Sequence, residues 1–166
     1  MGNVARIAVL LTTMVACVGC DQVTKSAARL QLEAGTTVSL FHDFVRLQHV
    51  ENPGAFLSIG DSLPKSARTI LFTFGGIVLV GGAILWAARA RHRSNVQTVG
   101  AALICSGGLG NLIDRLTQGG YVTDFLNVGI GPLRTGIFNI ADFVLLVGVG
   151  IIVLSGASSA RTGAPR

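Results

Sequence analysis

Four apolar runs, at about residues 5–29, 67–88, 96–113 and 137–154, divide the chain, and the stretches between them differ in kind. Each run approaches the ~20 apolar residues that a helix needs to cross a bilayer. Residues 31–62 are too polar to span. Within them Thr36–Phe41 and Phe44–Val50 alternate or carry β-branched side chains, and Gly35 and His42-Asp43 punctuate them. That pattern predicts short strands. Asn52-Pro53-Gly54 signals a turn, and Ala55-Phe56-Leu57 offers an apolar edge to the membrane face. Gly119-Gly120 turns the chain again, before Tyr121–Leu126 as a short strand or irregular segment. The pattern predicts an all-α polytopic membrane protein: four transmembrane helices and a small β-rich platform on one membrane surface. Residues 1–156 form one membrane-embedded domain in this reading, and 157–166 a disordered basic tail.

Composition supports the membrane class. Half of the residues are hydrophobic, 13% are charged and mean hydropathy is +0.63. A net charge of +5 could point to nucleic acid, but its distribution excludes that partner. Arg6, Arg89, Arg91, Arg93, Arg161 and Arg166 all flank apolar runs on one side, and the eight acids lie in the opposite segments or just inside their borders. This asymmetry places both termini and the 89–95 loop in the cytoplasm, and the platform outside. Arg6 ahead of an apolar stretch ending in Met14-Val15-Ala16-Cys17 also fits a cleavable leader. Residues 21–29 continue without Gly or Pro, so a retained first helix is expected.

Smaller signals add structure rather than chemistry. Gly75-Gly76, Gly81-Gly82 and the Ser106/Gly110 pair are expected to let helices approach closely. Cys17, Cys20 and Cys105 sit in apolar runs and read as buried, inert thiols. His42, His49 and His92 lack metal-ligand spacing, and neither a phosphate loop nor a serine elbow is present. No metal and no cofactor is expected.

The acids near the outer border carry the candidate chemistry. Asp142 begins an apolar run with no basic residue within seven positions, and a carboxylate inside a membrane segment costs several kcal/mol. Its expected partner is Asp124, because two close carboxylates share a proton and can activate water against an amide bond. Asn139 and Asp142, three apart on the fourth helix, share a face, as do Asn111 and Asp114 at the end of the third. The asparagines are expected to orient the acids. Asp114 has a structural alternative, pairing with Arg115 or another cation, and Asp21 with Lys25 forms an i,i+4 acid–base pair.

Together DQVTK (21–25), NPGAF (52–56), GGLGNLIDR (107–115), VTDF (122–125) and FNIAD (138–142) resemble the lipoprotein signal peptidases, the signal peptidase II family of aspartyl membrane proteases. The resemblance covers all but the tail, and the combination of motifs is specific where each alone is not. It implies an inner-membrane endopeptidase that removes the signal peptide from prolipoproteins just before the diacylglyceryl-modified cysteine. Asp124 and Asp142 would be catalytic. Asn52, Gly54, Asn111, Asp114, Arg115 and Asn139 would line or brace the substrate site, supported by Asp21 and Lys25. Membrane lipid and the cyclic peptide inhibitor globomycin are further implied partners.

The chain departs from the family pattern at Glu51 before Asn52, at Ala55 followed directly by Phe56, and at Phe143 after the second aspartate. These positions bear on substrate preference. A proton-coupled transporter is the alternative from another class, but the acids gather at one border and no inverted repeat is visible. A catalytically inactive relative is the other alternative.

Overall fold

A computed structural model describes residues 3–33, 35–54, 60, 62–89 and 94–162. Helix α1 (Asn3–Gln31) is followed by strands β1 (Val38–Leu40) and β2 (Val45–Asn52). A short α2 (Lys65–Arg68), a π-helical segment (Thr69–Phe74) and α3 (Gly75–Arg89) follow one another without leaving helical backbone. Helix α4 (Asn95–Thr117), strands β3 (Val122–Ile130) and β4 (Leu133–Arg134), and α5 (Ile140–Thr162) complete the order. The expected edge at Ala55–Leu57 and the Arg91–Arg93 cluster lie outside the described residues.

Among the described residues three helices are long and apolar enough to cross a membrane: Val4–Gln31, Lys65–Trp86 and Asn95–Thr117. A shorter apolar helix covers Ile140–Gly156. The distribution of side chains is the reverse of a soluble domain. Val4, Ile7, Leu11, Val15, Val78 and Leu79 are exposed, while Lys25, Asn139, Asp21, Asp114 and Asp124 are among the most deeply buried. Apolar surface facing outward around a polar centre is stable only where the surroundings are apolar too.

Helix α4 stands in the middle, packed on α1, α3 and α5. Its start is closed by a capping box: Ser94 Oγ accepts from Gln97 N at 3.2 Å, and Gln97 reaches back to Ser94 N. Its end passes into the expected Gly119-Gly120 turn, where both residues take positive φ (67° and 100°). β1, β2, β3 and β4 form one antiparallel sheet in that order, with a register shift between Leu47 and Val50. The strands expected at 36–41 and 44–50 are therefore present, and β3 is longer than the segment anticipated at 121–126.

Several expectations change. Helix α5 starts at Ile140 rather than 137, because Phe138 is taken up by a bridge to Leu126. It continues helical to Thr162, past the point where a tail was expected. Cys20 is exposed on α1, while Cys17 is half-buried and Cys105 buried. Gly81 and Gly82 face open space, and an added Cβ at Gly76 would meet Leu112 at an ordinary 3.8 Å. The close approach lies in the α4–α5 seam instead. A Cβ at Gly107 would collide with the Ala141 carbonyl and lie 2.7 Å from Leu145 Cβ, and one at Gly148 would lie 2.8 Å from Gly100 O. Gly110 does belong to a tight face, 2.6 Å from Asp21 Oδ2 for the same added atom.

This contrast generates a test. Gly107→Ala should lower the melting temperature of the detergent-solubilised protein by several degrees, since backbone must move to admit the methyl group. Gly81→Ala should be neutral or stabilise by up to about 0.5–1 kcal/mol, the ordinary gain for removing a helical glycine. Equal effects would contradict the assignment of the seam.

Candidate active site

The site grows from one buried cation. Lys25 is fully buried on α1, where its Nζ lies 2.9 Å from Asp21 Oδ2 and 3.3 Å from Asp114 Oδ2 and donates to Asn111 Oδ1 at 2.9 Å. Both carboxylates have further duties. Asp21 Oδ1 accepts from Ala141 N at 2.8 Å, so a negative charge from α1 meets the unsatisfied first turn of α5. Asp114 Oδ2 accepts from Thr123 N at 2.9 Å, tying the end of α4 to the start of β3. Gln22 Nε2 bridges Asp21, Asp114 and the Gly110 carbonyl at 3.1–3.2 Å. Arg29 lies 3.9 Å from Asp114 and donates to Thr123 Oγ1.

Three amides connect this cluster to Asp124 and Asp142. Asn139 is the residue before α5, and its side-chain oxygen accepts from Asp142 N at 2.9 Å while Asp142 Oδ2 accepts from Asn139 N at 3.3 Å. The Asn-x-x-Asp spacing is thus a reciprocal N-terminal cap, which corrects the expectation that both residues sit on a helical face. Asn139 Nδ2 then donates to Asp124 Oδ1 at 2.7 Å, so one residue touches both acids. Asn111 accepts from Lys25 and donates to Asp142 Oδ1 at 2.8 Å. Asn52, at the end of β2, donates to Asp124 Oδ2 at 2.8 Å, and its own oxygen accepts from Gly54 N.

Asp124 itself comes from β3, paired across to Val50. Burial pushes its carboxyl up to about 6, and the neighbouring Asp142 adds to the rise against the pull of the Asn52 and Asn139 donors. Asp142, Asn111 and Arg115 line the polar end of a cleft of about 590 Å³. Its other walls are apolar, from Leu71, Phe72, Leu79 and Val80 on one side to Leu112 and Leu145 on the other. Arg115 donates to the Gly54 carbonyl at 2.7 Å and lies 5.9 Å from the centre of the Phe72 ring. Among the described residues no group of three or more His, Cys, Asp or Glu is placed to hold a metal ion.

Residues 13–157 match the family described as signal peptidase (SPase) II. The chain belongs to the signal peptidase II family. A lipoprotein signal peptidase of Leifsonia xyli is 36% identical over 152 residues, covering 88% of this chain and 66% of that protein. The chain thus spans just under two thirds of that relative's length. One of Streptococcus pneumoniae is 34% identical over 148 residues, covering 89% and 92%. Two solved structures described as bacterial membrane enzymes, determined by the in meso method, align with TM-scores of 0.84 and 0.79 at 26% identity. They cover 96% and 90% of this chain, and 94% and 92% of their own.

The ten residues singled out from the sequence converge on one end of the signal peptidase II helix bundle, though not in equal roles. Asp124, Asp142, Asn52, Asn111 and Asn139 form one hydrogen-bonded unit, and Asp21, Lys25 and Asp114 form the charged unit beneath it. Asp114 pairs with Lys25 and Arg29 rather than with the adjacent Arg115, which turns toward Gly54. Glu51 is exposed, as is Phe143, which does not line the cleft. Gln22, Arg29, Thr123 and Phe72 were not anticipated. Gln22 lies inside the DQVTK motif and could have been found there, whereas nothing local marks Phe72, which the π-helical segment presents to Arg115.

Lys25→Met should leave Asp21 and Asp114 buried without their shared cation and cost roughly 3–5 kcal/mol of stability. Thermal unfolding in detergent measures this, and adding Asp114→Asn should recover part of the loss by removing one orphaned charge. A Lys25→Met variant that melts like the parent would show that the cluster does not hold the bundle.

Proposed function

We propose that this protein is an aspartyl endopeptidase of the membrane. It would remove the signal peptide from diacylglyceryl-modified prolipoproteins, cleaving just before the lipidated cysteine. The observation that carries this reading is that Asn139 holds Asp124 and Asp142 together beside an apolar cleft. The cleft walls suit an apolar signal-peptide segment or acyl chains, and its polar end would receive the scissile amide. Arg115 Nε is buried and has no partner among the described residues, so it is a donor left over for the substrate backbone.

In the proposed reaction one carboxylate takes a proton from water as its oxygen attacks the scissile carbonyl carbon. The protonated partner donates to the carbonyl oxygen, giving a tetrahedral intermediate with no net charge developed on it. Collapse breaks the carbon–nitrogen bond as a proton passes to the leaving amine. Asn111 and Asn139 act by fixing the two carboxyl groups. We further propose four spans, with α5 as the fourth, both termini cytoplasmic and the sheet outside, a reading supported by the arginines and the absence of acids in the termini and the 89–95 loop. In a variant lacking the native cysteines, a thiol at residue 36 should react with an impermeant maleimide added to intact cells. One at residue 92 should react only after permeabilisation, and the opposite result would invert the topology.

Purified protein should cleave a diacylglyceryl-modified prolipoprotein without added metal, and chelators should leave the rate unchanged. Asp124→Asn and Asp142→Asn should each abolish cleavage while the protein still folds, and the double variant should lose little more, because members of one catalytic unit are not additive. The pH profile follows from the raised Asp124 carboxyl. With its pKa at about 6, the singly protonated pair is lost as pH rises past that value, so kcat/KM should be bell-shaped with its alkaline limb there. Bound substrate excludes more water and raises the same group further, so the limb for kcat should lie at higher pH. Near-parental cleavage by Asp124→Asn would remove Asp124 from the proposal and leave Asp114 as the partner to test.

A further inference from the structure

The sheet has two ends of opposite character. At one end, β3 is buried from Val122 to Phe125 around the candidate site. At the other, the β1–β2 and β3–β4 turns meet, through the Val45–Val128 pair and a hydrogen bond from Gly129 N to Phe44 O at 2.9 Å. There several large apolar side chains are exposed, Phe41 at 76%, Ile130 at 76% and Leu133 at 83%, with Leu40 and Phe44 also exposed, beside exposed His42 and Ser39. Large apolar side chains gathered in two adjacent turns at one end of a sheet mark a contact surface.

The tip is also rigidly built. Phe41, His42 and Asp43 are three consecutive non-glycine residues at positive φ (53°, 54° and 70°), a costly backbone that persists only when neighbours hold it. Asp43 supplies the hold. Its carboxylate accepts from Arg46 Nε and Nη2 at 2.7 and 2.6 Å and from Ser39 Oγ at 2.8 Å, and its carbonyl accepts from Arg134 Nη1 at 2.7 Å. The Arg46 contact keeps this carboxyl ionised, well below the usual carboxylate range. Two guanidiniums against one carboxylate leave the tip positive.

We propose that this tip is a membrane-interface anchor, with Phe41, Phe44, Ile130 and Leu133 entering the bilayer surface on the sheet's side and Arg46 lying among the headgroup phosphates. The tethers name the occupant. Only residues 118–121 and 135–139 separate the sheet from the ends of α4 and α5, and β3 is nine residues long, roughly 30 Å at 3.3 Å per residue. The bilayer that holds those helices is thus always within the tip's reach. Aromatic and aliphatic side chains beside arginines are the composition of an interfacial segment. A sheet fixed at both ends, by the helices and by the lipid, would keep Asp124 at constant depth. The anchor depends on membrane insertion alone and stands or falls apart from the peptidase reading.

The test uses tryptophan fluorescence of the full chain in single-copy phosphatidylcholine nanodiscs. In a Trp86→Phe background, Phe41→Trp and Leu133→Trp place the reporter on each hairpin. Lipids brominated high on the acyl chain should quench both reporters at least two-fold, with blue-shifted emission, and aqueous iodide should quench them little. Strong iodide quenching without a bromolipid effect would put the tip in water and overturn the proposal. Shielding from both quenchers would put it against protein and overturn it equally. If either variant melts well below the parent, Ile130→Trp reads the same tip.

Discussion

The buried ammonium of Lys25 is the constraint on which the rest of the architecture depends. Moving such a charge out of water costs several kcal/mol even after relaxation, and only close, well-aligned partners return that energy. Lys25 finds them on α1 and α4, in Asp21, Asp114 and Asn111. Each partner is then committed elsewhere: Asp21 to the first turn of α5, Asp114 to the start of β3, Asn111 to Asp142. One cation therefore fixes the relative position of three helices and a strand, and none of those elements can shift alone without uncovering a charge.

Amides separate this structural charge from the candidate chemistry. A lysine placed directly against Asp124 and Asp142 would hold both ionised and leave no proton to share. Asn111 instead accepts from Lys25 and donates to Asp142, which transmits orientation without transferring the cation's full field. Asn52 and Asn139 donate to the two oxygens of Asp124 in the same way. The guanidinium of Arg115 directs Nη1 and Nη2 to the Asn111 and Gly54 carbonyls rather than to either acid. The result is a pair of acids held rigidly but only weakly neutralised, consistent with the rise of Asp124.

The helices and the sheet contribute different things to that pair. Asp142 takes its place from the cap of α5, a feature of local sequence, and the cap itself rests on the bridge between Phe138 and Leu126. Asp124 takes its place from strand pairing, in register with a partner more than seventy positions earlier in the chain. Glycines in the α4–α5 seam bring those two supports close enough for Asn139 to touch both. The lipid-facing helix surfaces need only be apolar; the approaches of helix backbone to helix backbone lie in this seam, at Gly107 and Gly148.

What the sequence determined by itself was whatever depends on local pattern. The apolar runs marked the helices, alternation in 36–41 and 44–50 marked two strands, and Gly119-Gly120 marked a turn. Asp142 stood out because a carboxylate beginning an apolar run has no cheap explanation, and the i,i+4 spacing of Asp21 and Lys25 gave their pairing directly. The remaining decisions needed tertiary structure, because they join residues far apart in the chain. Which cation meets Asp114 depended on how α1 packs on α4, so the sequence left Arg115 and more distant cations as alternatives. The glycines that matter could not be told from those that do not, since Gly81-Gly82 and Gly107 look alike until a neighbouring helix is present. Asn139 looked like a side chain on a helical face, and only the Phe138 bridge, by ending the preceding strand segment one residue earlier, made it the cap that binds both acids.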